Sequence, residues 1–379
     1  MDELEAVREL LSEPAPTAET VASGRARLQA LLAVPAMPAV QPERRRYRAS
    51  RVVWPGRWWR PVRNGLIGAA AAIAVALAVA VPSNSLRISP DAGEELPSAR
   101  QVLLTAASAM AKAPSDGAYW RTGVVTGQLF LSPDRRYVIE RRSEREIWLR
   151  RYGGRDRWTG RYLGAHPASA RDEQAWREAG APGRWRYPAD VAGLGRISPQ
   201  ALVQAAPGVQ QGGIHRVGWR NADGILTKRL ATWKALGSIP ADPARLRAFL
   251  VGAIARENGA YVGREMEAEL RETCLELITA LPVPPEVRAA AYEILASIPG
   301  MRAEGRVTDP LGRTGQALGY QVVKEGRLTD ERLVIDPGSG LPLAQQTSDT
   351  SRTADGRDVE VGYFTAYQQI GWTDEEPTP

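Results

Sequence analysis

Seventeen consecutive residues, Gly65 to Val81 (GLIGAAAAIAVALAVAV), carry no polar side chain, and Asn64 and Pro82-Ser83-Asn84 bound them. At a rise of about 1.5 Å per residue, a helix of that length is roughly 26 Å long, the short end of what crosses a hydrocarbon core of about 30 Å. Eight of the seventeen are Ala, which drive insertion less strongly than Leu, but no charge opposes it. The segment reads as one transmembrane helix over residues 64–82. Its rivals are a buried helix of a soluble domain and a secretory signal peptide. Ala76-Leu77-Ala78 and Ala78-Val79-Ala80 have the small-x-small look of a cleavage site, but the 64 residues before the run are too many for a leader. Gly65 with Ala69 and Gly68 with Ala72 form small-xxx-small pairs, which an Ala-rich span produces by chance.

The flanks orient the span. Residues 1–63 hold 11 basic and 7 acidic side chains, leaving 38 and 36 for the rest of the 49 and 43 in the chain. Eight arginines, including Arg57, Arg60 and Arg63, fall between Arg44 and Arg63 with no acid among them. Positive charge stays inside, so the N-terminus is expected in the cytoplasm and the bulk of the chain outside the cell membrane. Trp58 and Trp59 precede the span, where indole rings favour the headgroup interface. The net charge of +6 is therefore juxtamembrane; it fits anionic lipid better than nucleic acid, and no nucleic-acid partner is expected.

Before the arginines, Leu4, Val7, Leu10 and Leu11 recur at helical spacing up to Pro14, and Thr17 caps a second run with Val21, Leu28, Leu31 and Leu32 on one side. Two helices this short bury too little to fold alone. They read as a segment that docks a cytoplasmic partner through Leu4, Leu10, Leu28 and Leu31, or as a loosely ordered pair on the membrane.

The chemistry-bearing residues are sparse. Cys274, His166 and His215 are the only residues of their types, so no internal disulfide forms and no zinc ligand set assembles. There is no phosphate-binding Gly-Lys-Ser/Thr loop and no Gly-x-Ser-x-Gly elbow. Asp309, Asp336 and Asp374 sit in apparent turns, where carboxylates cap backbone N–H groups. No enzyme activity, cofactor or metal is expected. Trp120, Trp148 and Trp158 are expected in the core or on a sheet face.

Beyond a Pro-, Ser- and acid-rich linker at 83–97, residues 98–372 alternate between the two periods, with residues 373–379 as a tail. A helix capped by Ser98 turns Val102, Leu103, Ala106 and Met110 inward. Strands at Tyr119–Leu131, Tyr137–Arg151 and Arg157–Leu163 form an antiparallel meander, with turns at Pro133-Asp134 and Gly153-Gly154, and a helix follows over 167–179. Residues 191–240 carry no clear pattern and read as a long loop or weak helices. Three helices follow between Asp242 and Pro299, one placing Met266, Leu270, Cys274, Ile278 and Leu281 on a single face; that makes Cys274 a core thiol. Five strands then run from Glu304 to Gln369. The fold class is α+β: one transmembrane helix, then an extracytoplasmic domain with a curved antiparallel sheet packed on helices.

Long segments of the chain resemble an uncharacterised family of actinobacterial single-pass membrane proteins, typically encoded near extracytoplasmic-function sigma factors. They are MDELEAVRELL, ASGRARLQALL at Ala22 to Leu32, AYWRTGVVTG at Ala118 to Gly127, YVIERRSEREIWLRR at Tyr137 to Arg151, RYLGAHPASARDEQAWREAGAP, GRVTDPLGRTG at Gly305 to Gly315 and ERLVIDPGSGLPLAQQ at Glu331 to Gln346. The last is also similar to a hairpin of lipoprotein-carrier and sigma-regulator domains, whose open half-barrel wraps apolar helices. The resemblance implies a membrane-anchored regulatory or sensor protein, its partners the membrane, a sigma factor or other cytoplasmic regulator, and a lipid or protein ligand outside. An anchored lipid- or lipoprotein-binding protein without a signalling role is the alternative. The family offers no catalytic residues to carry over.

Overall fold

The computed structural model describes residues 97–152, 155–191, 193–215, 226, 232–258, 263–324 and 327–377. All of these belong to one compact unit. The expected span at 64–82, its flanking Arg57, Trp58, Trp59, Arg60 and Arg63, and Leu4, Leu10, Leu28 and Leu31 all lie outside the described residues. Among the described residues, no helix is long and apolar enough to cross a membrane.

Helix α1, Ala99–Met110, begins in a capping box: the Ser98 side chain accepts from the Gln101 N–H, and the Gln101 side chain accepts from the Ser98 N–H. Its expected inward residues are all buried. Strands β1 (Tyr119–Leu131), β2 (Val138–Arg150) and β3 (Asp156–Pro167) follow as a meander. Two expectations shift here. β3 runs through Pro167, so helix α2 starts later, at Ala170–Glu178. Ser169 wins the cap because its hydroxyl accepts from the Asp172 N–H, whereas Pro167 ends an edge ladder where no N–H is needed. Residues 191–240 also contain more regular structure than their composition implies. After β4 (Arg184–Arg186), β5 (Leu202–Gln204) pairs with it, β6 (Gln211–His215) adds to the main sheet beside β3, and Trp233–Leu236 forms the short helix α3. Such short strands are set by their neighbours more than by periodicity.

Helices α4 (Pro243–Asn258), α5 (Arg264–Thr279) and α6 (Pro285–Ser297) precede the C-terminal meander of β7 (Arg302–Thr308), β8 (Thr314–Lys324), β9 (Arg327–Ile335), β10 (Pro342–Arg352) and β11 (Asp358–Thr373). The two meanders meet where β11 pairs with β1, giving one curved antiparallel sheet of nine strands in the order β6-β3-β2-β1-β11-β10-β9-β8-β7. The described domain is thus α+β, with helices α3 to α6 inserted between the two halves of one sheet and α1 ahead of both.

Strand alternation splits the sheet into two faces. One face carries the helices. Trp120, Leu149, Leu318, Leu333, Ile335 and Ile370 pack there against α1, α4, α5 and α6, with Leu270, Cys274, Ile278 and Leu281 all fully buried in the same core. Further along, Phe130 and Ile139 pack with Trp185, Tyr187 and Ile197 in a second cluster. The opposite face holds a row of small residues running across five strands, Ala317, Val334, Ala344, Ala366 and Val125, none more than 3% exposed. That third cluster contains no helical residue and is completed by Leu163 and Leu311.

One buried charge stands out in the helical core. Arg288 on α6 is 1% exposed, has no ion-pair partner among the described residues, and lies over the Trp120 ring at 4.7 Å. Burial pushes its guanidinium down to about 10. It also sits in the first turn of α6, at the positive end of the helix dipole. Desolvation costs several kcal/mol and the desolvated cation–π contact returns about 2. Arg288→Leu is therefore expected to stabilise the domain by about 1–2 kcal/mol, read as a higher midpoint in thermal unfolding followed by circular dichroism; a lower midpoint would show that the charge is compensated.

Candidate functional site

The apolar parts of the helix-bearing face are already covered by the chain itself. Between them the ladder register aligns a polar band. One row crosses the sheet as Tyr162, Ser143, Thr126, Thr365 and Gln345, and the next as Arg141, Gln128, Tyr363, Thr347 and Glu331. The band is internally tied on its β9–β11 side. Glu331, 8% exposed, accepts from the Tyr320 hydroxyl at 3.1 Å and the Thr347 hydroxyl at 3.3 Å, and Tyr367 donates to Gln345. Burial pushes the Tyr320 phenol well above its ordinary value, with the Glu272 and Glu331 carboxylates adding to it; Tyr320 stays a donor at any physiological pH.

A cavity of about 380 Å³ opens at the end of the band, lined among others by Arg135, Arg196, Thr329, Asp349, Ser351 and Arg352. The segment 193–196 forms its wall because β11 stops pairing with β1 at Leu129, and Leu194 takes over by accepting from the Leu131 N–H at 2.9 Å. Gln128 donates to the Arg196 carbonyl, and the Arg196 guanidinium covers the Tyr363 ring at 5.4 Å. Asp349 is the one carboxylate of the lining, 3.9 Å from Arg196. Three guanidiniums stand against it, one of them, Arg352, paired with Asp358 at 2.8 Å outside the lining, which leaves a modest positive excess. Its volume suits a small molecule.

The turn carboxylates do what their sequence context implies. Asp309 accepts from the Leu311 and Arg313 N–H groups, and Asp374 accepts from the Ala118 N–H at 2.9 Å. Asp336 accepts from the Ser339 hydroxyl at 2.6 Å and the Gly338 N–H at 3.0 Å, contacts that hold its carboxyl below the usual range. Cys274 is fully buried, and burial pushes its thiol up, so it is a core residue. His166 is exposed on β3, its ring nitrogen 2.9 Å from the Pro167 carbonyl, while His215 ends β6 in a different strand. Trp120 is fully buried, Trp148 is 5% exposed, and Trp158 is half-buried on β3. Among the described residues, no three His, Cys, Asp or Glu side chains group as a metal site.

Sequence reasoning missed Asp172. It is 3% exposed and accepts from the Val138 N–H and from Arg357, both at 3.1 Å, tying α2 to the sheet from two directions. Only its place three residues after a capping Ser hinted at a role. The polar band was missed too, although the parity of VIERRSEREIWLR carries it: Arg141, Ser143 and Arg145 fall on one face, Glu140, Arg142, Glu144 and Glu146 on the other. No family model, curated protein or solved structure matches this chain.

Proposed function

We propose that the described domain is the extracytoplasmic ligand-binding part of a single-pass membrane regulatory protein, which senses a polar or anionic ligand and passes that state to the cytoplasmic segment. The observation that carries this reading is the polar band with its basic cavity, held between two apolar cores on the helix-bearing face. A structural scaffold gains by filling the centre of a sheet face with apolar side chains, whereas this band is polar and its β1–β3 side stays half-buried. The same observation favours a polar ligand over a bare acyl chain, because the apolar parts of that face are already occupied by the chain's own helices. The N-terminal arginines beside the apolar run at residues 65–81, and the half-barrel resemblance of the sequence, support setting this reading at a membrane.

Photocrosslinking of the full chain in its native membrane tests both ends. A photoreactive residue replacing Thr350, an exposed residue of the cavity lining, is expected to capture a small molecule identifiable by mass spectrometry. One replacing Leu28 is expected to capture a sigma factor or other transcription regulator, and to lose it when Leu10 and Leu31 are made polar. Absence of any adduct at position 350 would remove the binding reading. Capture of lipid alone at position 28 would leave an anchored binding protein without a signalling role.

A further inference from the structure

β2 segregates its charges by parity. On one face its three carboxylates are each engaged: Glu140 with Arg142, Glu144 with Arg161 at 2.9 Å, and Glu146 with Arg121 at 2.6 Å. On the helix-bearing face the same strand presents Arg141, Ser143 and Arg145 in succession, with no carboxylate among them. Both arginines are half-buried, and neither has an ion-pair or hydrogen-bond partner among the described residues. Their cross-strand neighbours on that face, Gln128 and Val124 on β1 and Ala165 and Gly160 on β3, are all uncharged. Arg141 lies over the Phe130 ring, 5.7 Å away, with the uncharged phenols of Tyr162 and Tyr187 nearby. Removing a guanidinium from water without a counter-charge is costly, and burial lowers the pKa of both.

We infer that Arg141 and Arg145, with the Ser143 hydroxyl between them, form a binding site for a phosphate-type oxyanion. On an extended strand Arg141 and Arg145, four positions apart, lie about 13 Å from each other with Ser143 midway, about 6.6 Å from each, and both side chains are long enough to reach a group seated above Ser143. Two guanidinium forks and a hydroxyl supply more donors than the two oxygens of a carboxylate can use, and they match a tetrahedral group with three acceptor oxygens. Tyr162, opposite Ser143, has its hydroxyl proton committed to the Gln204 carbonyl at 2.6 Å, so it offers the oxyanion no donor. The inference rests on the helix-bearing face being a binding face and names the ligand chemistry of that face.

The oxyanion has two sources, free phosphate or the phosphate of a lipid headgroup, and calorimetry separates them. The full chain in maltoside micelles, which carry no phosphate, is titrated with inorganic phosphate and, separately, with monomeric dihexanoyl phosphatidylglycerol. Binding of either is expected, weakened roughly 10- to 100-fold in Arg141→Gln/Arg145→Gln. Loss of phosphate binding assigns a free oxyanion; loss confined to the lipid assigns a headgroup. Arg141→Lys/Arg145→Lys keeps the charge and removes the forks, and is expected to weaken binding about tenfold while its circular dichroism stays native. No binding of either probe by the wild type, or binding unchanged in both double variants, overturns the site. An adduct at position 350 alongside such a result would sink the oxyanion site alone; phosphate binding without an adduct would sink the cavity reading alone.

Discussion

Asp309→Ala is expected to destabilise the domain by about 3–5 kcal/mol, because it leaves a partly buried guanidinium and two backbone N–H groups without their acceptor. Asp309 is fully buried; one carboxylate oxygen accepts from Leu311 and Arg313 N–H, and the other takes Arg313 Nε at 2.9 Å and Nη2 at 2.5 Å. Held this way, Arg313 reaches the Leu343 carbonyl at 2.8 Å and the Tyr367 carbonyl at 2.6 Å. Both lie where ladders slip: β10 shifts register between Pro342 and Ala344 against β9, and the β1–β11 ladder skips Gln368. Arg313 satisfies carbonyls that the irregular ladders leave over. The expected fall in unfolding midpoint is about 6–15 °C. Asp309→Asn keeps acceptors for the N–H groups but loses the charge, so it should cost about half as much. A midpoint within about 2 °C of wild type for Asp309→Ala would show that the clamp is incidental.

Gly340→Ala is the second large effect. Gly340 closes the turn after β9 with φ +72°, a conformation that costs a side-chain-bearing residue about 1 kcal/mol or more. A Cβ there would stand 2.3 Å from the Ala106 carbonyl oxygen and 3.0 Å from the Met110 nitrogen, both backbone atoms of α1 and its end. Neither can swing away as a side chain would, so α1 must move. Tyr292 of α6, fully buried, donates to the Gly340 carbonyl at 2.8 Å, so the displacement also strains α6. The total is expected at about 3–4 kcal/mol, measured as a lower denaturant midpoint at unchanged slope. Gly356→Ala is the control: it too has positive φ, at +84°, but a Cβ there meets nothing within 4 Å. It should cost only the conformational term.

Much of this fold was legible because long elements state their period. β1 falls on its expected residues, and Leu270, Cys274, Ile278 and Leu281 read as one buried stripe because 3.6-residue spacing repeats without interruption. The α2 start was misplaced since Pro167 fits a helix N-terminus as well as an edge strand, and only the Ser169 hydroxyl contact decides between them. β4, β5 and β6 were illegible because three- to five-residue strands take their conformation from partners distant in sequence. The site was harder still. Its polar band exists only through cross-strand register, which brings Tyr162, Thr126, Thr365 and Gln345 into line from four strands. Arg141 and Arg145 looked like ordinary members of a charged strand until Glu140, Glu144 and Glu146 proved to be on the other face.

The binding domain is proposed to be held outside the membrane by a single span, and cysteine accessibility in intact cells tests that topology. Cys274, the chain's one cysteine, is buried, so the wild type should not react with a membrane-impermeant maleimide. Ala354→Cys places a thiol on the exposed turn between β10 and β11, and Ser12→Cys places one in the N-terminal segment. The account predicts labelling of Ala354→Cys in intact cells and of Ser12→Cys only after permeabilisation. Labelling of Ala354→Cys only after permeabilisation, or of Ser12→Cys before it, would contradict the topology and with it the assignment of the domain as an external sensor.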